Sequence, residues 1–209
     1  MPPTDSDQAY RLLKDRIVTI EMRPGTVIRE ADLMADLNLG RTPIREALKR
    51  LEAEDFVVAM PHRGSQVADI RITDLTQIFE VRVELEGLSA RLAAERIQTQ
   101  ELAQLEGLAD EYQTIQQVDL GRLFGLDRSF HKALARAGRN RFLFREIDRY
   151  YDLSLRIWYL AMDYVQASDV NVEAHLETLA SIQAGDVDGA ERAMREHIRQ
   201  FHASIKEYL

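Results

Sequence analysis

Cysteine is absent from all 209 residues, which excludes disulfides and thiolate metal ligands. A cysteine-free chain is compatible with a reducing cytosol. No apolar run approaches the roughly 20 residues that span a bilayer. The N-terminal stretch "MPPTDSDQAYRLL" has acids where a signal peptide has a basic and then an apolar region. Together these features read as a cytoplasmic protein with no membrane attachment. Glycine-rich phosphate loops, nucleophile-elbow motifs, internal repeats and low-complexity tracts are also missing. So is any excess of positive charge, since the net charge is −8. Residues 1–70 carry 10 Lys/Arg against 12 Asp/Glu, which leaves 27 − 10 = 17 against 35 − 12 = 23 in the remainder. Neither part is basic, so contact with nucleic acid must come from local placement of charge.

What is present reads as two domains with a boundary near residues 70–73. All five prolines lie within the first 61 residues, and the pattern after residue 70 is helical almost throughout. Residues 1–70 predict a helix over about Ser6–Glu21, with Leu12, Leu13, Ile17 and Ile20 inward. A turn at "RPGT", a short extended "VI", a helix over Glu30–Leu37, a tight turn at "NLG" and a helix over Thr42–Glu54 follow. Two apolar-rich strands, "FVVAM" and "SQVADI", are joined by "PHRG". Residues 71–209 predict helices over about 73–97, 99–117, 119–137, 140–164, 169–184 and 187–207, the last capped by Asp186. Short connections make this a six-helix antiparallel bundle. The expected fold is mainly α.

The stretch "LGRTPIREALKRL" places Arg41, Arg45, Lys49 and Arg50 within ten residues. On a helical wheel Ile44, Ala47, Leu48 and Leu51 share one face, while Arg41, Arg45 and Lys49 recur on another. Thr42 and Pro43 occupy the first turn, where a missing backbone N–H is harmless. That end presents two guanidinium groups, a hydroxyl and unpaired backbone N–H groups. Guanidinium forks suit guanine edges or phosphates, and helix N-termini favour phosphate oxygens. Helix, tight turn and cationic helix is the geometry of a recognition helix in the major groove. The hairpin can serve as a wing with His62 and Arg63 at its tip. The same charges are compatible with a solvated face carrying a Glu46–Arg50 pair.

The segment "GTVIREADLMADLNLGRTPIREALKRLEAEDFVVAMPHRGSQVADI" resembles the winged-helix domain of GntR-type bacterial transcription regulators. The "RTP-R-EAL-RLE" core and the "P-RG--V" wing carry the resemblance. It implies DNA contacts from Arg41, Thr42, Arg45 and Lys49, and from His62, Arg63 and Gly64 in the wing. Two residues depart from the family pattern. Asn38 stands where a turn glycine is usual, and Gly40 where a capping serine is usual. Asn tolerates left-handed backbone and Gly is an acceptable, weaker cap.

The bundle carries "LDRSFHKAL", whose Asp127 and His131 share one helical face about 6 Å apart. His175 is ten residues before Gly185 and His197 twelve after it. If Gly185–Asp186 turns a helical hairpin, both imidazoles lie about 15–18 Å from the turn and face each other. One carboxylate and three imidazoles suit a divalent ion: zinc, nickel, manganese or iron, with zinc or nickel favoured. His202, five residues past His197, is turned off that face.

These residues, with "VRVELEGLSARLAAER", resemble the FCD ligand-binding domain of the FadR subfamily. The resemblance spans about residues 8–205 and implies Asp127, His131, His175 and His197 as metal ligands. Four protein ligands on a six-coordinate ion leave two positions for a bidentate carboxylate. Arg82, in "EVRVELE", stands where the family has a cavity-facing arginine. It is either a clamp for an effector carboxylate or the partner of Glu86 at i+4. Trp158, Tyr159 and Tyr151 are core residues or cavity walls. The implied protein is not an enzyme. It is a homodimeric, ligand-responsive regulator, most often a repressor, that reads a palindromic double-stranded operator and binds a small organic or sugar acid. A metal-dependent enzyme and a direct metal sensor are the rival readings.

Overall fold

Thr4 opens the first helix with a reciprocal cap. Its hydroxyl accepts the Asp7 backbone N–H at 3.1 Å, and its own N–H donates to the Asp7 carboxylate at 3.2 Å. The computed structural model describes residues 3–60, 64–114, 120–162 and 172–206. Helix α1 (Asp5–Val18) buries Ala9, Leu13, Ile17 and Val18 at helical spacing. Leu12 is exposed and Ile20 only half-buried, against the expectation that both point inward. The helix stops at Val18, and Ile20 sits at φ 61°, so the later residues leave its face.

Strand β1 (Val27–Ile28) precedes α2 (Glu30–Leu37) and α3 (Arg41–Ala53). Asn38 closes α2 in the left-handed region, at φ 51° and ψ 44°, as its place in the turn requires. Gly40 stands at the N-cap of α3 with no side-chain hydrogen bond, so the turn lacks the cap a serine would supply. Strands β2 (Val57–Met60) and β3 (Gly64–Val67) form the expected antiparallel hairpin. The short "VI" does more than extend. It pairs antiparallel with β3, Val27 opposite Gln66, to give a three-stranded sheet ordered β1-β3-β2.

Beyond the sheet run α4 (Ile72–Arg96), α5 (Thr99–Thr114), α6 (Leu120–Ala137), α7 (Arg141–Ala161), α8 (Val172–Gln183) and α9 (Val187–Lys206). Asn140 caps α7 by accepting from Phe142 and Leu143. Asp186 accepts from Gly189 at 2.8 Å, just after Gly185 turns the chain at φ 69°. Helix α4 packs along α9 and against α6, while α8 packs on α9, α4 and α5. Ala135, Leu143 and Ile147 form an apolar cluster with Leu85, Leu92 and Phe144 alongside.

The chain divides into two compact units. One is Met1–Arg71 with Leu155–Leu160, and the other is Ile72–Ser154 with Ala161–Leu209. Within the first, buried Arg156 donates to the Ala68 carbonyl at 2.7 Å. Burial pulls its pKa down to about 10, and the Asp69 charge opposes that shift.

Candidate metal centre and nucleic-acid interface

Helix α3 buries Ile44, Ala47, Leu48 and Leu51 and exposes Arg41, Thr42, Arg45 and Lys49, as the wheel requires. The fourth cation is engaged elsewhere. Arg50 lies over the Tyr10 ring at 3.9 Å and donates to Asp7 at 2.8 Å, so the i, i+4 pair with Glu46 is not made. Arg45 is also held, since its Nε donates to both Glu30 oxygens at 2.9 Å. Glu30 opens α2, so the helix before the turn braces the helix after it. The Arg45 Nη groups make no hydrogen bond to a described residue and remain available. Gly64 begins β3 at φ 85°. His62 and Arg63 lie outside the described residues.

In the second unit, the four residues singled out by spacing converge. Asp127 and His131 come from α6, His175 from α8 and His197 from α9. One donor atom from each lies within 4.8 Å of the others, and all four residues are buried. His131 Nε2 is 3.3 Å from the Nε2 atoms of both His175 and His197. Asp127 approaches His175 Nε2 at 3.1 Å and His131 Nε2 at 3.7 Å. Two ligands about 2.1 Å from one ion stand about 3.0 Å apart at a right angle and about 3.4 Å at the tetrahedral angle. The observed separations therefore fit a single divalent ion. His202 stacks on Phe79 at 4.6 Å and stays outside the group.

Ligation needs an ionised carboxylate and neutral imidazoles, and Asp127 and His197 meet that need. Burial alone would raise the Asp127 carboxyl, but the His131 imidazole, the His175 hydrogen bond and His197 outweigh it and hold it well below the usual range. Burial, reinforced by His175 and His131, pushes His197 well below its ordinary 6.5. Tyr151 donates its hydroxyl to Asp127 Oδ2, and Tyr112 donates to Oδ1 at 3.3 Å. Burial and the Asp127 charge push both phenols well above 10, so each keeps the proton it donates.

Arg82 is buried, and its Nε donates to Glu86 at 2.5 Å while Nη1 donates to Ser154 at 2.6 Å. Helical spacing pairs Glu86 with Arg82 but gives no partner for its other oxygen. Glu86 Oε2 meets His131 Nδ1, on the ring edge away from the cluster. A signal for it exists in the sequence. Leu75, Phe79, Arg82, Glu86, Ser89 and Ala93 form one helical stripe, so two charges occupy positions where α4 is otherwise buried. Tyr151 and Tyr112 carry no comparable signal, because an aromatic on a helix face is ordinarily core.

The two parts of the chain match two known domain families. The model for "Bacterial regulatory proteins, gntR family" matches residues 5–67, and the model for the FCD domain matches residues 77–200. The chain belongs to the GntR family of transcription regulators. The HTH-type transcriptional repressor RspR of Escherichia coli is 29% identical to this GntR regulator over 203 residues, spanning 97% of this chain and 89% of its own. A probable D-xylose utilization operon transcriptional repressor of Paenarthrobacter nicotinovorans is 27% identical, over 85% of this chain and 78% of its own. The solved structure of E. coli McbR/YncC superposes with a TM-score of 0.87 at 23% identity, covering 98% of both chains. At that identity the likeness is one of fold. These relatives are transcription regulators and not enzymes, which removes the metalloenzyme reading. Among the described residues no helix is long and apolar enough to cross a membrane.

Proposed function

We propose that this regulator is a cytoplasmic, ligand-responsive repressor whose FCD domain binds a divalent metal and, through it, a small carboxylate. The carrying observation is the convergence of Asp127, His131, His175 and His197 from three helices into one buried donor set. Zinc or nickel suits three imidazoles and a carboxylate, and manganese or iron is compatible. The bound ion would supply Lewis-acid sites for the acid's oxygens. Arg82 Nη2, which donates to no described residue, is the protein group assigned to the same anion. A metal and a guanidinium make the site electropositive inside an acidic protein.

On this reading residues 1–70 read the operator and residues 71–209 sense the ligand. Arg41, Thr42, Arg45 and Lys49 enter the major groove, and His62, Arg63 and Gly64 meet the DNA from the wing. A homodimer would present two such helices to a palindrome about one DNA turn apart. The ligand acts only by binding one geometry of the dimer more tightly than another. The deep burial of all four ligands also supports a second reading, in which the metal itself is the signal. Operator binding measured with and without chelator, and with a panel of organic and sugar acids, separates the two. Release only when acid is added supports the first reading, and release by metal alone supports the second. No metal in stoichiometric amount after chelator-free purification would remove both.

A further inference from the structure

His131 Nε2 lies 3.3 Å from the Nε2 atoms of both His175 and His197 and 3.7 Å from Asp127, so its orientation bears on all three contacts. Three buried groups lie behind it in a chain. Glu86 meets His131 Nδ1 with one oxygen and accepts from Arg82 Nε with the other. Arg82 reaches on to Ser154 Oγ, which donates to the Tyr151 carbonyl at 2.7 Å. Arg82, Glu86 and Ser154 are each no more than 2% exposed. A carboxylate so deeply buried is retained only if it is paired and hydrogen-bonded.

We infer that Glu86 is a positioning residue for the metal, and that Arg82 holds Glu86 in place through its other oxygen. A neutral imidazole carries one ring proton. A carboxylate oxygen set against Nδ1 favours keeping that proton on Nδ1. Nε2 is then left with its lone pair directed at His175, His197 and Asp127. The same contact fixes the ring plane and makes Nε2 a stronger donor to a metal. Glu86 does not itself belong to the ligand set, because the imidazole ring stands between its oxygen and the cluster. Arg82 is thereby tied to the metal through Glu86 as well as through any anion it binds. A change at Arg82 should therefore be felt as metal affinity.

The inference rests on the metal reading only for its consequence, since the hold on His131 is a property of the metal-free protein. The full-length chain is labelled with 15N-histidine and stripped of metal, and the His131 signals are assigned with His131→Gln. The expected wild-type spectrum shows the proton on Nδ1 and an unprotonated Nε2. An amide at position 86 can offer either an acceptor or a donor, so Glu86→Gln should mix the two tautomers. Zinc affinity, read by competition with a chromophoric chelator, should fall about 10- to 100-fold in Glu86→Gln. It should stay unchanged in Glu84→Gln, whose carboxylate pairs with Arg195 at the surface. Wild-type His131 protonated on Nε2, or wild-type zinc affinity in Glu86→Gln, overturns the inference. If Glu86→Gln does not fold, the wild-type tautomer alone decides. If the wild type takes up neither zinc nor nickel, the metal reading fails, and the tautomer still decides whether Glu86 positions His131.

Discussion

Replacing Arg45 with alanine separates the recognition role proposed for α3 from its structural one. The helix is anchored by Ile44, Ala47, Leu48 and Leu51, none of which the change touches. The ion pair it removes joins side chains 58% and 35% exposed. Solvent screening limits such a pair to at most about 1 kcal/mol of stability. Thermal unfolding should therefore move little. Operator affinity should respond far more. An arginine hydrogen-bonded to a base edge in the major groove is worth about 1–3 kcal/mol, which is about 5- to 140-fold in Kd. Glu30→Ala should act through the same side chain. Removing an acid beside the DNA strengthens binding to any duplex, while an unbraced Arg45 discriminates less. Operator and unrelated DNA should thus move closer together in affinity. In the double variant, Glu30→Ala should cause no further drop in discrimination, because the group it braces is gone. Fluorescence anisotropy on a selected operator and a scrambled duplex, across a salt series, measures all of this. A phosphate contact would instead weaken both duplexes alike and lower the salt slope by about 1. Wild-type affinity and discrimination in Arg45→Ala would take the residue out of the interface.

Chelator should lower the unfolding temperature of metal-loaded protein by about 10 °C, the equivalent of about 4 kcal/mol for an ion at about 1,000 times its Kd. It should have no effect on His131→Ala; an unchanged wild-type melting curve would refute the site. Asn38→Ala should destabilise by about 1–2 kcal/mol, because alanine gains nothing in the left-handed region. Asn38→Gly should be close to neutral by denaturant titration, and equal stability of all three would show the turn relaxes freely. Burial alone would raise the Glu86 carboxyl, but Arg82 and His131 hold it at about 2 against an ordinary 4.5. The unfolded chain then binds the proton first, so this group's contribution is complete above about 4.5 and is lost as pH falls toward 2. Metal-free wild type should lose stability more steeply than Glu86→Gln between pH 5 and 3 in guanidinium titrations; parallel curves would refute the shift.

Local patterns in the chain were sufficient for a good part of this protein. The α3 wheel separates a buried face from a cationic one because both follow from 3.6 residues per turn. The tight turn at "NLG" was legible in the chain, and Asn38, which tolerates left-handed backbone, adopts it there. His175 and His197 lie at similar distances on either side of Gly185, and antiparallel helices must then bring them level. Asp127 and His131 share a face by spacing alone. Other features depend on contacts between distant segments, which no local period encodes. Strand β1 gains its identity from β3, nearly 40 residues later. Ile20 looks inward only on a longer helix than the chain makes, and Leu12, inside α1, lies off the face that Ala9, Leu13 and Ile17 bury. Arg50 finds Asp7 and Tyr10 rather than its helical neighbour Glu46, and Arg45 finds Glu30 across the turn. Helical periodicity thus assigned each residue to a face, and the rotation and register of packed helices decided which faces meet. Glu86 shows the difference: its own helix pairs it with Arg82, and only the packing of α4 on α6 sets its second oxygen against His131.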